Sequence, residues 1–176
     1  PQMPATVTHR SDGCWTFRID YSSQHWQTWI YCPRAGGLVE LGGQTFERWD
    51  FVFTKYDSTS TFTCDPPSVT VRAVMHPGDR WQQKCRGTSS GTKGEGVTAG
   101  PYTFVGNDTV TVGGQSVAAY HFRQERTLSG SQSGTQTAAL RFTTKAGLPL
   151  RNVRTQTVHT NTVVGSSTYT RSEEPP

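Results

Sequence analysis

The sequence predicts an all-β domain, a single curved antiparallel meander that is half-barrel-like or an open barrel and carries two disulfides. Composition, periodicity and cysteine placement each point that way. Of the 176 residues only 32% are hydrophobic and 17% charged, while 11% are aromatic, and Thr, Ser, Gly and Gln make up the difference. A Thr-rich, aromatic-rich chain punctuated by Gly is the composition of β-structure, and net charge +4 is too small for a charge-driven disordered chain. From Trp15 to Tyr21 apolar residues recur at every second position, and no window of a dozen residues shows the three-and-four spacing of an amphipathic helix. The cysteines flank strand-like segments in two local pairs.

The opening stretch "PQMPATV" reads as linker, so residues 1–10 are expected to be linker, 11–172 the β-domain and 173–176 linker again. The chain begins at Pro1, not Met, and is expected to be a piece of a longer protein, tethered or trimmed of an export signal. Next comes "CWTFRIDYSSQHWQTWIYC". Trp15, Phe17, Ile19 and Tyr21 alternate with Thr16, Arg18 and Asp20, and "SSQ" supplies a turn. Folding the hairpin about Ser23 sets Cys14 opposite Cys32, Trp15 opposite Tyr31 and Phe17 opposite Trp29. Opposed residues lie about 4.5 to 5.5 Å apart, within reach of a disulfide. On this register Trp26 shares the disulfide's face, away from Trp15 and Trp29.

"FERWDFVFTKY" is expected to turn at Asp57-Ser58 into "STFTC". "DPPS" turns again, "VTVRAV" runs back, "HPGD" turns and "RWQQKC" follows, so Cys64–Cys85 would tie the first of these strands to the third. Four cysteines allow three pairings; the nested local one, Cys14–Cys32 with Cys64–Cys85, is favoured. With no Cys-x-x-Cys and no Cys/His cluster, no metal or other cofactor is expected. Disulfides imply an oxidising compartment, hence an extracellular or cell-surface location.

The stretch from Arg86 to Gly100, "RGTSSGTKGEGVTAG", reads as a loop. Beyond it "GPYTFVGNDTVTV", "QSVAAYHFRQERTL", "TQTAALRFTT", "LPLRNVRTQTVHT" and "TVVGSSTYTRS" are strands, separated by Gly113-Gly114, "SGSQSG" and "KAG". About ten to twelve strands result, close to two mean sheets' worth. "YHFRQER" and "RNVRTQTVHT" alternate poorly, so neither face is plainly core. Arg123, Arg126, Arg141, Arg151 and Arg154 are expected to align across three neighbouring strands, their stems covering apolar surface or their heads forming an anion site.

Several functions are disfavoured. The pI near 9.1 comes from scattered basic residues without a Lys/Arg run, so no nucleic-acid partner is expected. No apolar run reaches the roughly 18 residues of a membrane helix. "GTSSG", Gly87–Gly91, matches G-x-S-x-G, but its flanks are loop-like and lack the strand and helix of a nucleophile elbow. His9, His25, His76, His121 and His159 lie in different elements without ligand spacing. An enzyme is therefore not expected and no catalytic residue is assigned. The tryptophans, Trp15, Trp26, Trp29, Trp49 and Trp81, either pack the core or form an aromatic platform for sugar rings.

"HPGDRW", "TVTVGGQSVAAYHFRQERTLSG" and "RFTTKAGLPLR", in that order, resemble secreted or lipid-anchored β-domains of actinobacteria. The resemblance spans roughly residues 69 to 171. It implies a strongly curved antiparallel sheet similar to the half-barrels of bacterial lipoprotein carriers, whose concave face holds acyl chains. The expected function is a non-catalytic extracellular or cell-surface domain binding a lipid, another apolar ligand or a protein partner on its sheet. The alternatives are a carbohydrate or cell-wall binding module and, behind it, a hydrolase. Candidate binding residues are Trp15, Trp26, Trp29, Tyr31, Trp49, Trp81, Arg123, Arg141 and Arg151.

Overall fold

In the computed structural model the first hairpin adopts the register expected from alternation: Trp15 faces Tyr31 and Phe17 faces Trp29. The structure describes residues 5–51, 54–162 and 165–173. Within them the chain forms β1 (Ala5–His9), β2 (Trp15–Ser22), β3 (His25–Arg34), β4 (Gly37–Phe51), β5 (Thr54–Arg72), β6 (Arg80–Ser89), β7 (Glu95–Val112), β8 (Gln115–Gly130), β9 (Gln132–Thr143), β10 (Pro149–Thr162) and β11 (Gly165–Glu173). All belong to one 11-stranded sheet in sequential order, a pure antiparallel meander with β1 and β11 at its two edges. The sheet is open. It is nonetheless curled, because β3 meets β9 and β10 across the interior. The Tyr31 and Phe142 rings pack edge to face at 5.8 Å, and Arg154 Nη2 donates to Gln27 Oε1 at 2.8 Å.

The apolar part of the interior is aromatic. Trp15, Phe17, Trp29, Tyr31, Trp81, Tyr102, Phe104, Phe122 and Phe142 form one buried cluster with Ile19, Leu38 and Val71. Phe122 is wholly buried at its centre, with ring centroids 4.9 Å from Tyr102, 5.4 Å from Phe104 and 6.0 Å from Phe142. Each such pair contributes about 0.5–1.5 kcal/mol beyond simple area burial. Rings therefore span a curved sheet that, among the described residues, has no second layer to pack on.

Both disulfides, Cys14–Cys32 and Cys64–Cys85, are present, and all four cysteines are buried. The second joins neighbouring strands, not the first and third of three. The reason is that "DPPS" does not turn. β5 runs straight through Pro66 and Pro67, and its pairing with β4 jumps from Gly42–Thr63 to Glu40–Ser68. The prolines sit in that bulge, where no ladder N–H is asked of them. Ladder pairing of β5 with β6 covers Ser60–Thr63, leaving Cys64 next in line opposite Cys85. Beyond it side chains join the strands: Trp81 Nε1 and Gln83 Nε2 both donate to the Val69 carbonyl, and Ser68 Oγ donates to the Lys84 carbonyl.

Other expectations are corrected in the same way. Asp57-Ser58 lies inside β5, which pairs antiparallel with β4 as far as Phe51–Thr54. Ala5–His9, read as linker, pairs along its whole length with β2. Most of Arg86–Gly100 is strand, with only residues 90–94 turning. Gly87 and Gly100 are there for close approach, since a Cβ would collide with the carbonyl oxygens of Thr61 and Glu125. By contrast, Gly113 and Gly114 turn the chain between β7 and β8 at φ of 55° and 78°, as the sequence expects.

Candidate ligand cavity

Alternation along the strands carries polar side chains into the concave face beside the aromatic cluster. β3 sends in His25 and Gln27 before Trp29 and Tyr31; β8 sends in Gln124 and Arg126; β10 sends in Asn152, Arg154 and Gln156. These residues, with Glu40, Glu47, Ser58, Ser60 and Gln136, surround a cavity of about 240 Å³. Apolar contributions come from Trp29, Tyr31, Phe62, Leu128, Leu140 and Val158. The poor alternation of "YHFRQER" and "RNVRTQTVHT" is explained here: their inward positions are polar because they line a cavity, not a packed core.

A chain of amides runs along one wall. Gln124 Nε2 donates to Gln83 Oε1 at 2.8 Å, and Gln136 Nε2 donates to Gln124 Oε1 at 3.0 Å. Arg126 Nη2 donates to the same Gln83 oxygen at 3.0 Å. Turning the Gln124 amide would instead set its oxygen 3.0 Å from Arg126 Nη2, so this amide is engaged in either orientation. Glu40 lies on β4 opposite Tyr31 and is buried. Burial holds its carboxyl above the usual carboxylate range, against the pull of Arg126 and Arg154. Burial, and then the nearby Glu40, also push the Tyr31 and Tyr102 hydroxyls well above the ordinary tyrosine range.

Glu40 approaches the second disulfide, its Oε1 lying 3.9 Å from Cys64 Sγ. The three potential ligands Glu40, Cys64 and Cys85 are close together, but both sulfurs are spent on each other and no thiolate remains for a metal. At the other end of the cavity His25 Nε2 lies 3.6 Å from Glu47 Oε1, with the Tyr21 ring stacked on His25. Across the sheet the order is His25, Glu47, Ser58. A hydrolytic triad needs the base between nucleophile and carboxylate, and here the carboxylate is in the middle. Nothing positive indicates catalysis among the described residues.

The candidates singled out from the sequence separate. Trp15, Trp29, Trp81 and Tyr31 are buried core, though Trp29 and Tyr31 also edge the cavity. Trp26 is half-buried on the convex face. Arg18 lies over its ring at 4.4 Å, and it stacks on Phe46 at 5.7 Å, so its ring is already engaged. The side chain of Trp49 lies outside the described residues. The five arginines do not form one row. Arg126 and Arg154 turn inward; Arg123, Arg141 and Arg151 occupy the alternate, convex positions. There Arg123 approaches Glu125 at 3.6 Å and Arg141 Nε donates to Asp108 Oδ2 at 2.6 Å.

Gln27, Glu40, Gln83, Gln124 and Gln136 were not singled out from the sequence. The available signal was the spacing of Phe122, Gln124, Arg126 and Leu128, which keeps one face of β8 half polar. In comparisons with protein-family models, curated proteins and solved structures, nothing matches this chain.

Proposed function

We propose that this chain is a non-catalytic, exported binding domain that takes a small polar molecule into its concave cavity. The observation that carries the reading is the lining: amide, hydroxyl and guanidinium groups converge on one hollow edged by the rings of Trp29, Tyr31 and Phe62. Precisely placed polar groups within a concave site fix the orientation of a small ligand. The volume, about 240 Å³, lies below the usual range for drug-sized ligands and suits something the size of a monosaccharide, an amino acid or a small organic acid. The apolar end of the interior is already filled by the chain's own rings. Two disulfides support an oxidising compartment, and with it export to the cell surface or beyond.

A second reading keeps an apolar ligand. A smaller hollow of about 140 Å³ beside Phe62, Val97 and Leu128 is mainly apolar, and would hold a short acyl or aromatic group.

Ligand-observed saturation-transfer NMR tests both, using a panel of sugars, amino acids and organic acids beside a short-chain fatty acid. Signals from polar compounds that vanish in Ser58→Phe, which fills the cavity, support the first reading. Signals from the fatty acid alone support the second, and a response unchanged by Ser58→Phe overturns the cavity as the site.

A further inference from the structure

Four connections at one end of the sheet are tied together by backbone bonds and packing. Ala73 N donates to the Gly36 carbonyl at 3.0 Å, joining the β5–β6 turn to the β3–β4 turn. Gly78 N donates to Phe104 O and Phe104 N donates to Asp79 O, both at 2.8 Å, which joins the same turn to β7. Thr144 N donates to Ala118 O at 3.2 Å, and a Cβ on Gly147 would lie 3.1 Å from Leu38 Cδ2, so the β9–β10 turn reaches both β8 and β4. Past this rim the β7–β8 hairpin runs on beyond its neighbours. Ladder pairing of β7 with β6 ends at Thr103–Arg80, and that of β8 with β9 ends at Ala119–Thr143. From Thr109 to Tyr120 the hairpin carries no charge. Its register sets Val110 opposite Val117 and Val112 opposite Gln115 on one face, with Thr111 opposite Ser116 on the other. Exposed large apolar side chains among the described residues include Val74 at 73%, Val105 at 45% and Val112 at 44%, and all three stand on this end. One exposed valine needs no explanation, but three on the joined turns of one end do.

Cations accompany the apolar tips. Arg34 pairs with Gly37 and Gly37 with Arg72, so the two arginines share one cross-strand row, about 10 Å apart, with no side chain between them. Lys145 is exposed in the β9–β10 turn. The carboxylates of these joined segments are engaged: Asp79 Oδ2 accepts from His76 N at 2.8 Å, and Asp108 Oδ2 accepts from Arg141 Nε at 2.6 Å. Among the described residues no carboxylate pairs with Arg34, Arg72 or Lys145; Arg34 donates to the Pro33 carbonyl and Arg72 covers the Trp81 ring. We propose that this end of the sheet docks on an anionic lipid surface, with Val74 and Val112 entering the headgroup layer and Arg34, Arg72 and Lys145 meeting lipid phosphates. Separate apolar tips with cations beside them fit a fluid, negatively charged plane, where apolar burial and phosphate attraction add. An uncharged hairpin tip also enters that layer without the cost of desolvating a charge. None of these residues lines the cavity, so the inference stands apart from the ligand reading.

The test uses the intact, oxidised chain and sedimentation with vesicles of phosphatidylcholine, alone or mixed with phosphatidylglycerol, at low and high sodium chloride. The expected result is binding to the mixed vesicles that falls as salt rises. Arg34→Gln and Lys145→Gln should each weaken it about fivefold, the share of one cation near an anionic surface. Val74→Asp and Val112→Asp should each weaken it about tenfold or more, since each loses apolar burial and adds a repelled charge. All four side chains are exposed, so thermal unfolding should not change, and Val74→Asp gives the same reading should Val112→Asp disturb the hairpin. With a gadolinium-chelating lipid in the vesicles, the methyl signals of Val74, Val105 and Val112 should broaden before those of Val97 and Leu128 at the far end of β7 and β8. Equal binding to phosphatidylcholine alone overturns the inference, as does binding that ignores both valine variants or broadening that begins elsewhere. Absence of vesicle binding overturns it too, and saturable shifts of the Arg34 and Arg72 side chains with sodium phosphate would then assign them a small anion instead.

Discussion

The indole Nε1 of Trp81 donates to the carbonyl oxygen of Val69 at 2.7 Å, bridging β6 and β5 where their ladder has ended. The same carbonyl accepts from Gln83 Nε2 at 2.6 Å, and Arg72 lies over the Trp81 ring at 4.3 Å. Side chains thus replace backbone pairing along the segment that follows the prolines of β5. Trp81→Phe keeps most of the ring and removes the donor. Since Gln83 still satisfies the carbonyl, the expected cost is about 1 kcal/mol. Trp81→Ala also opens a cavity in the aromatic cluster and should cost about 3–5 kcal/mol. Denaturant midpoints measure both, and equal losses for the two variants would contradict this account.

The Cys64–Cys85 bridge closes a loop of sequence separation 21. Cross-linking a loop of that size restricts the unfolded chain by about 3 kcal/mol. Replacing both cysteines by Ala should lower unfolding stability by about that amount under non-reducing conditions, and a reducing agent should then lower it further through Cys14–Cys32. A double variant as stable as the parent would show that the amide network alone holds β5 to β6.

Glu40 makes stability depend on pH in a particular direction. Its folded-state pKa lies above the unfolded value, because burial outweighs Arg126 and Arg154. Its contribution is therefore complete below the unfolded pKa and is lost as pH rises through the folded one. Glu40→Gln stays neutral throughout. Relative to the parent, that variant should gain stability steadily as pH rises above the ordinary carboxylate range, and show a flat difference below it. Chemical denaturation across pH reads the slope; a constant difference would mean that Glu40 is ionised and paired in the folded state.

On the convex face Asp20, Arg18, Trp26, Phe46, Arg48 and Asp57 form a continuous ladder. Arg18 meets Asp20 at 2.6 Å and covers Trp26; Trp26 stacks on Phe46; Arg48 lies 5.7 Å from the Phe46 ring and meets Asp57 at 2.6 Å. A double-mutant cycle on Arg18→Ala and Trp26→Ala should give a coupling of about 0.5–1 kcal/mol, the scale of a part-exposed cation–π contact. A coupling of zero would leave the Trp26 ring available as a sugar platform after all.

The local framework was legible in the residues. Alternation from Trp15 to Tyr21 and the "SSQ" turn predict a hairpin that the structure contains in the expected register, and Gly113-Gly114 marks the turn between β7 and β8. The Cys14–Cys32 disulfide follows from which residues the first hairpin sets opposite each other; Cys64–Cys85 was chosen as the nested local pairing, through a turn that the structure does not make. Errors arose where a residue has two physical uses. Pro66 and Pro67 mark a turn in most chains, yet here they occupy a bulge inside β5. Gly87 and Gly100 belonged to a stretch read as loop and serve close strand contact.

The site was much less legible, and the reason is geometric. A strand's sequence specifies two faces but not which one becomes concave, nor which distant strand will stand opposite. Arg123 and Arg126 look alike in the chain, three residues apart; parity sends one to Glu125 on the convex face and the other to Gln83 in the interior. Gln27 and Arg154 are 127 residues apart and meet only because the sheet curls β3 toward β10. The sequence by itself determined a disulfide-stapled antiparallel meander, because hairpin register and side-chain alternation are local. The curl of the finished sheet determined the cavity, because bringing polar faces of separate strands together depends on accumulated twist and on the aromatic cluster that β3, β8 and β9 share.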